Sequence, residues 1–495
     1  MTGDRKNSVM PAERPGSSVK LLQTGNALFL TILLVASAPI SAQEPASSDT
    51  LPFDPLPYTA LSGNQRKVFA HYFTPFPPSI DNRVADQDYY ATHYLNPDGE
   101  NGRYKEQGGY LRQRPLPRPV SQSPDWKFDD IRHEIRLAKA IGLDGFSLDL
   151  LALGGIQWER ARLVLEAAEA EGHFEIMLMP DMNAALRNEP ERLTGMVEEL
   201  SRYPAAMRLD DGRLVVSPYM AGKQSPDWWA GRLDELRQQG IRVAFVPLFH
   251  DWFKHYEDYA SLSYGVSDWG ARRISTVRAW TKMANIAHAS GLKWMAPVVP
   301  QDVRPKNSIY WETGNSELFR AQWLSAIDGG ADWVHLITWN DYSEHSEIRP
   351  STATGYAFYD LTAYYCLWFK TGQPPPIKRD AIYSFYRVHP VDSRPDPDRQ
   401  RKMMVPARSS DRPLNRIELL AFLTAPGTLE IELAHKVHRK PADSGVTSFT
   451  IPLQSGTPVF RIVRDGTVVA TLRGNAIHDN IAVQDLLYHG ASSLR

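Results

Sequence analysis

The chain has 495 residues, with 55 lysine and arginine against 57 aspartate and glutamate side chains and a formal net charge of −2. This length exceeds the usual single-domain range and predicts one large domain with one smaller domain. The near balance of charge excludes a general electrostatic preference for nucleic acid or an anionic membrane, so we expect a neutral partner. The 13 tryptophans and 21 tyrosines supply flat rings that suit core packing and also the apolar faces of sugars.

The N-terminus has the three parts of a secretory signal. Basic residues up to Lys20 precede an apolar run from Ala27 to Ala36, and small residues follow as far as Ala42. Because the run is shorter than the roughly 20 residues that a spanning helix needs, we expect a signal peptide over 1–42, cleaved near Ala42. The protein is then secreted or periplasmic, with no membrane contact after cleavage. An uncleaved anchor is the alternative.

Residues 43–63 are rich in Pro and Ser and predict a disordered leader. Beyond them, β-branched apolar runs alternate with segments of helical period, which predicts a (β/α)8 TIM barrel over 64–372. The apolar runs are 68–73, 145–150, 175–180, 214–217, 243–249, 264–267, 293–299 and 332–339. The helical segments are 127–141, 157–172, 189–203, 225–239, 272–290, 315–329 and 356–370. Because the fourth and sixth runs are weak, a distorted or seven-stranded barrel is the alternative.

The composition changes after Gly372. Three successive prolines predict a rigid linker over 373–380. Beyond it, segments that alternate apolar and polar residues between turn residues predict an antiparallel β-sandwich over 381–495. Because 373–495 contain no tryptophan, we expect this accessory domain to brace the barrel rather than to present an aromatic binding surface.

In a TIM barrel the catalytic groups follow the C-terminal ends of the strands, so the residues after each apolar run are the most informative. Acidic residues follow five of the runs: Asp149, Asp181, Asp251, Asp268 and Asp341. A helix N-cap is the structural alternative for Asp149, Asp181 and Asp251. His71 and Tyr72 close the first run and are candidates for the same site.

The most informative stretch is 336–350, LITWNDYSEHSEIRP, where an apolar run ends in two carboxylates among aromatic residues. Asp341 and Glu344 stand three residues apart, and neighbouring carboxylates push their pKa values apart, so that one stays protonated while the other is ionised. Cleavage of a glycosidic bond needs such an acid and base. A capping pair at the start of the next helix is the alternative. Asn340 would orient one carboxylate or bind a sugar hydroxyl.

The other acids that follow strands are candidates for sugar binding, for water positioning or for tuning of this pair. Aromatic residues nearby are candidates for stacking on sugar rings, with core packing as the alternative. We select Trp252, Trp269, Trp311, Trp339 and Tyr342 for this role.

Other chemistries find little support in the sequence. His250 and His255 have ligand-like spacing, but the zinc-protease pattern HExxH is absent, so we expect no metal. No Gly-x-Ser-x-Gly elbow, phosphate-binding glycine loop or dinucleotide fingerprint occurs, which excludes esterases, kinases and dehydrogenases and leaves no expected cofactor. The single cysteine, Cys366, lies in an apolar context typical of packing and excludes a disulfide framework.

Five blocks resemble, in order, the signature blocks of glycoside hydrolase family 71, the mutanases or endo-α-1,3-glucanases. They are 68–72, 129–131, 142–146, 294–297 and 338–344. The last is the most specific, because the family reads T-W-N-D-Y-G-E-S. The resemblance implies a barrel that cleaves an α-linked polysaccharide, α-1,3-glucan first, with Asp341 and Glu344 in the catalytic roles and Asp144 as a third acid of interest. The family is regarded as inverting, so one carboxylate would protonate the leaving oxygen while the other activates water.

The chain departs from the family pattern at Ser343, where the family has glycine, and at His345, where it has serine. Residues 89–114 also look like an insertion beside the active face, which would reshape the substrate cleft. A weaker resemblance is to the endo-α-mannosidases of family 99, whose N-E-W-x-E block has the same acid spacing. An endo-α-mannosidase-like enzyme and a carbohydrate-binding protein without hydrolytic activity are therefore the alternatives. The residues do not indicate an oligomeric state.

Overall fold

The computed structural model describes residues 46, 47 and 49–495, all within one compact unit. The predicted signal peptide lies outside the described residues. Among the helices that the structure describes, none combines the length and the apolar character needed to cross a bilayer.

The segment before the first strand is a correction to the predicted disordered leader. Leu51 and Phe53 are buried in the main core, and the carbonyl oxygen of Pro52 accepts hydrogen bonds from the backbone N–H groups of Lys378 and Arg379. The apolar side chains between the prolines have a surface to pack on, so this segment is ordered against the rest of the chain.

A curled parallel sheet forms the centre of the described chain. In chain order, the strands before residue 340 are β1 (Lys67–Tyr72), β2 (Gly145–Leu150), β3 (Glu175–Pro180), β4 (Leu214–Val216), β5 (Val243–Phe245), β6 (Leu248–Phe249), β7 (Gly265–Asp268), β8 (Lys293–Val298), β9 (Val303–Arg304), β10 (Ile309–Tyr310) and β11 (Trp333–Leu336). All except β9 and β10 join one sheet in the order β5-β4-β3-β2-β1-β11-β8-β7-β6, and the pairs are parallel.

The two strands that end this order, β5 and β6, are consecutive pieces of one extended segment. The two residues between β5 and β6 also bond to the sheet on either side. Val246 N donates to Val216 O, at the end of β4, and Pro247 O accepts from Ser267 N of β7. The sheet therefore curls back on itself. The predicted mixed α/β class and its parallel strands are confirmed, and each predicted apolar run contains a strand of this sheet.

Helices cover the outside of the sheet and follow its strands along the chain. They are α1 (Tyr58–Leu61), α2 (Trp126–Ala140), α3 (Gly155–Glu171), α4 (Leu193–Leu200), α5 (Pro226–Gln238), α6 (Tyr256–Tyr259), α7 (Ile274–Trp280), α8 (Met283–Ala289), α9 (Glu317–Asp328) and α10 (Ala357–Thr371). The helix predicted over 272–290 is in fact two, α7 and α8. Since helices cover the outside of the sheet and side chains fill its interior, its strands are buried along most of their length and read as apolar runs.

Antiparallel sheets follow α10, as predicted. Their strands are β12 (Ala381–Tyr386), β13 (Val405–Pro406), β14 (Arg416–Leu423), β15 (Gly427–Leu433), β16 (Lys436–Ala442), β17 (Gly445–Pro452), β18 (Val459–Arg464), β19 (Thr467–Arg473) and β20 (His489–Ser492). The two antiparallel sheets have the orders β17-β14-β12-β20 and β16-β15-β18-β19. The short strand β13 belongs to neither, because it pairs in parallel with β10, which pairs in turn with β9. Leu419, Ile431 and Phe460 belong to the core shared by the two four-stranded sheets. The other face of β12 and β14 packs on α10, where the ring centres of Phe385 and Phe358 are 5.0 Å apart.

Candidate active site

The loop after β11 carries Asp341 and holds it through the loop's own backbone. Oδ1 of Asp341 accepts hydrogen bonds from Ser343 N at 2.9 Å, Ser343 Oγ at 2.7 Å and Glu344 N at 3.2 Å. Asp341 N donates to Thr338 Oγ1 at 2.7 Å. Helix α10 begins only at Ala357, so Asp341 and Glu344 do not cap it. The loop instead fixes one oxygen of Asp341 at the carboxyl end of the sheet.

Glu344 lies at the end of a chain of charged side chains, in which Asp302 is buried while Arg304 and Glu344 are partly exposed. Its Oε2 is 2.8 Å from Nη2 of Arg304, whose guanidinium also contacts both oxygens of Asp302, at 2.6 and 2.7 Å. Nε of Arg272 donates to the same carboxylate at 3.0 Å. Burial raises the pKa of Glu344 to about 7; Arg304 opposes this shift, while the charges of Asp302 and Asp341 add to it. Glu344 can therefore keep a proton near neutral pH.

A second group of acids lies beside Asp341, on β2 and directly after β3. Oδ2 of Asp149 is 3.4 Å from Nε2 of His71. Burial, followed by the charge of Asp341, raises the pKa of Asp149 well above its usual range. Burial, followed by the charge of Asp149, raises the pKa of Asp181 to about 7, and burial lowers the pKa of His71 to about 4. Burial therefore disfavours the charged forms of both His71 and Asp149.

Aromatic rings enclose this group on the next strands. The ring centre of Trp269 lies 5.0 Å from His71, 4.8 Å from Tyr219 and 6.0 Å from His335. Nε2 of His250 and the hydroxyl of Tyr219 are 2.9 Å apart. Within the part of the chain that the structure describes, no group of three His, Cys, Asp or Glu side chains is arranged to hold a metal ion.

Three other predicted acids lie away from this cluster, and their assignment is corrected. Asp144 precedes β2 and so lies at the amino end of the sheet, where its Oδ2 is 2.7 Å from Nζ of Lys370. The side chain of Asp251 is 64% exposed and pairs with Lys254 in solvent. Asp268 is buried, but both its oxygens accept backbone N–H groups, from residues 252 and 270. These contacts are structural.

Several predicted binding residues are also corrected. The side-chain amide of Asn340 is occupied by backbone atoms of residues 73 and 76. Tyr72 and Trp339 point outward from the sheet to Glu134 of α2, with hydrogen bonds of 2.6 and 3.3 Å. Two further rings belong to cores: Trp252 packs on Trp294, and Tyr342 packs on Phe76. Of the selected rings, Trp269 lines the acid cluster, and Trp311 lies 4.9 Å from the guanidinium of Arg304.

The sequence reasoning missed the residues that surround Glu344. Asp302 and Arg304 follow β8 by a few positions, so the rule that selected Asp149 and Asp341 would have found them if the search had extended beyond the first residues after each run. Tyr219, which follows β4, was missed for the same reason. Arg304 is a basic residue, whereas the candidates selected after the strands were chiefly acidic and aromatic residues. A buried carboxylate nevertheless needs a nearby cation or donor.

A cavity of about 480 Å³ opens at the opposite, amino end of the sheet. Charged residues of its lining pair with one another, Lys67 with Glu175 at 2.9 Å and Arg213 with Asp211 at 2.8 Å. The carboxyl end is therefore the candidate active site, because there the charges of Asp341 and Asp149 act on neighbouring carboxyl groups.

Acids held close together at the carboxyl end of a parallel sheet, with aromatic rings around them, define a site for glycoside hydrolysis. A model of glycosyl hydrolase family 71 matches residues 119–488. The chain belongs to this family and is a glycoside hydrolase, which confirms the predicted family and enzyme class.

Curated relatives and a solved structure are similar to this chain. A mutanase from Penicillium rubens is 23% identical over 379 residues, covering 71% of this chain and 81% of its own. A glucan endo-1,3-alpha-glucosidase from Schizosaccharomyces pombe is 23% identical over 380 residues, covering 71% of this chain and 87% of its own. The structure of a GH99 endo-alpha-mannosidase from Bacteroides thetaiotaomicron matches 61% of this chain and 97% of its own, with a TM-score of 0.48 and 16% identity.

Proposed function

We propose that this glycoside hydrolase cleaves α-1,3-glucan and that Asp341 and Glu344 are its two catalytic carboxyl groups. The observation that carries the proposal is the environment of this pair, since desolvation raises the pKa of the partly buried Glu344 to about 7 and the charge of Asp341 adds to this shift. The mutanase and the glucan endo-1,3-alpha-glucosidase among its relatives support an α-linked glucan as the polysaccharide substrate.

Within this proposal Glu344 is the acid and Asp341 the base. A general acid must hold its proton near the working pH, and a pKa of about 7 meets that need. The base must be held in place, and the three donors on Asp341 Oδ1 fix that carboxyl group in the loop. Glu344 would protonate the leaving oxygen while Asp341 activates a water on the opposite face of the sugar, so the anomeric carbon would be inverted.

The remaining cluster would bind the substrate. Nδ1 of His71 and Oδ1 of Asp149 are buried and have no hydrogen-bond partner among the described residues, so they are suited to receive sugar hydroxyls. Asp181 extends this polar surface, and Trp269 and Trp311 would contact sugar rings. These steps use side chains alone, with no metal or organic cofactor.

The finer points of architecture and export are part of the same proposal. We count β5 and β6 as one strand, which makes the sheet a (β/α)8 barrel over 64–372, followed by the linker 373–380 and the accessory sandwich 381–495. A signal peptide over 1–42 would deliver the enzyme to a polysaccharide outside the cytoplasm. Sequencing the N-terminus of the exported protein tests this point, with a start just after Ala42 expected.

The test of the proposed function is release of reducing ends from insoluble α-1,3-glucan, with α-1,4-glucan and α-mannan as comparison substrates. We expect release from α-1,3-glucan by the native protein and none by Asp341→Asn or Glu344→Gln. Release from α-mannan alone would overturn the substrate assignment. Binding of the glucan without any release would favour a carbohydrate-binding protein.

A further inference from the structure

Residues 89–114, which we call the active-site wall, contact the catalytic loop, residues 336–350, at several positions, among them Glu347, His345 and Ser343. Ser343 and His345 are the two positions where the loop departs from the family pattern quoted above. The wall itself precedes the family match, which begins at residue 119. The departures from the family pattern are therefore in physical contact with one another.

The Ser343 hydroxyl makes two hydrogen bonds, and each has one direction. Its single hydrogen is donated to Asp341 Oδ1 at 2.7 Å. Its oxygen accepts from Nζ of Lys306 at 2.7 Å. Tyr110 of the wall lies close to the same hydroxyl. Ser343 is fully buried, so it links the Lys306 ammonium to one oxygen of Asp341.

His345 also contacts the wall. The backbone N–H of Arg112 donates to Nε2 of His345 at 2.9 Å, so Nε2 is an acceptor. Nδ1 then carries the proton and donates to the carbonyl oxygen of Val303 at 2.7 Å. The imidazole thus joins the wall to the segment that carries Arg304.

The wall is braced from behind as well. The Arg112 guanidinium donates to the carbonyl oxygens of Gln107 at 2.5 Å and Gln484 at 2.7 Å. A buried ion pair joins Arg114 to Asp88. The backbone N–H groups of residues 401 and 402 donate to Glu106 O at 2.9 and 2.7 Å. The wall is therefore a fixed part of the structure, supported by the C-terminal region.

We propose that Lys306 holds the Ser343 hydroxyl so that it aims Asp341 at the substrate, which makes Ser343 a positioning residue, while the active-site wall fixes the same loop through His345. This inference rests on the proposed function, because it assigns the base role to Asp341. Lys306 acts through Ser343, since it bonds to its hydroxyl. Without that hydroxyl, Asp341 loses one of three donors and Lys306 loses its acceptor.

The test is a double-mutant cycle of Ser343→Ala and Lys306→Met, assayed on the glycan that the native enzyme turns over. We expect Ser343→Ala to lower kcat about 10-fold, the effect of one hydrogen bond to a charged group, with KM unchanged. Lys306→Met should lower kcat less, Lys306→Arg should restore it, and the double variant should be no slower than Ser343→Ala alone. A native kcat in Ser343→Ala, or additive losses in the double variant, would overturn the proposal.

Hydrogen exchange of the wall gives a readout that needs no activity. His345→Ala removes the acceptor of the Arg112 N–H, so we expect that amide to exchange faster while the amides of β14 keep their protection. Unchanged exchange at Arg112 would overturn the docking of the wall. Loosened exchange together with an inactive native protein would support the docking and refute only the proposed function.

Discussion

Buried acids occur at both ends of the parallel sheet, but their partners differ. At the amino end, Asp144 Oδ2 meets the Lys370 ammonium at 2.7 Å and the backbone N–H of Val68 at 2.7 Å. At the carboxyl end, Asp149 lies 3.4 Å from the ring of His71 and feels the charge of Asp341. Burial raises the pKa of both acids, but at Asp144 Lys370 and the Val68 N–H oppose the rise, and the pair holds two elements together. At Asp149 the charge of Asp341 adds to the rise, and perturbed pKa values of this kind are typical of functional sites.

The largest expected effect comes from replacing one glutamate at each end of the sheet by glutamine and comparing the two variants. Glu344→Gln should lower kcat by roughly 10²–10⁴-fold, because a general acid contributes that much. Glu175→Gln, which removes the partner of Lys67 at the amino end, should leave kcat unchanged. Steady-state kinetics on the same glucan compares them. Equal losses in both variants would erase the distinction between the two ends.

At the amino end of the sheet, a substitution should change the free energy of unfolding and leave kcat nearly unchanged. Lys370→Met leaves Asp144 buried without its cation and should lower the free energy of unfolding by about 3–5 kcal/mol, with little change in the kcat of the folded enzyme. Denaturant titration followed by kinetics below the transition measures both. Adding Asp144→Leu should recover much of the stability, since no buried charge then remains. A loss of kcat at native stability would move Asp144 into the catalytic site.

The pH dependence should report the proton on Glu344. Because the acid must be protonated and its pKa is about 7, kcat/KM should fall as pH rises through about 7. Arg304 lowers this pKa, so Arg304→Met should raise it and move the alkaline limb to higher pH. Arg213→Met, at the amino end, is the control and should leave the limb in place. A downward shift in Arg304→Met would contradict the assignment of the acid.

The smallest expected effect concerns the aromatic surround. Trp269→Phe removes part of a ring that contacts His71 and Tyr219, and an aromatic contact is worth about 0.5–1.5 kcal/mol. We expect KM to rise by roughly 2- to 12-fold, the same free energy expressed as a ratio, at unchanged kcat. Trp333→Phe, in the core at the amino end, should change stability and leave KM alone. An unchanged KM in Trp269→Phe together with a raised KM in Trp333→Phe would contradict the role of Trp269 as a sugar contact.

Much of the fold was predictable because parallel strands between helices are apolar along their whole length. The sandwich was predicted only as a region, because strands such as β16 and β19 are largely exposed and carry charged residues such as Lys436 and Arg473. The order of the leader was missed because its apolar residues are few and depend on a surface formed by distant parts of the chain.

The site was only partly predictable because a strand sends successive side chains to opposite faces. His71 and Tyr72 are adjacent in β1, yet His71 joins the acid cluster while Tyr72 bonds to α2. When both faces are buried, the sequence does not distinguish the inner from the outer residue. Asp144 was selected from a family block, but its place before β2 puts it at the other end of the sheet. Arg304 lies beyond the strand end and depends on a loop whose path the sequence does not reveal.

The measurement that tests the central claim most directly compares native protein, Asp341→Asn and Asp144→Asn for release of reducing ends from α-1,3-glucan at a temperature where all three are folded. We predict release by the native protein and by Asp144→Asn, and loss of release in Asp341→Asn by orders of magnitude. Release by Asp341→Asn at the native rate would contradict the assignment of the active site to the carboxyl end of the sheet.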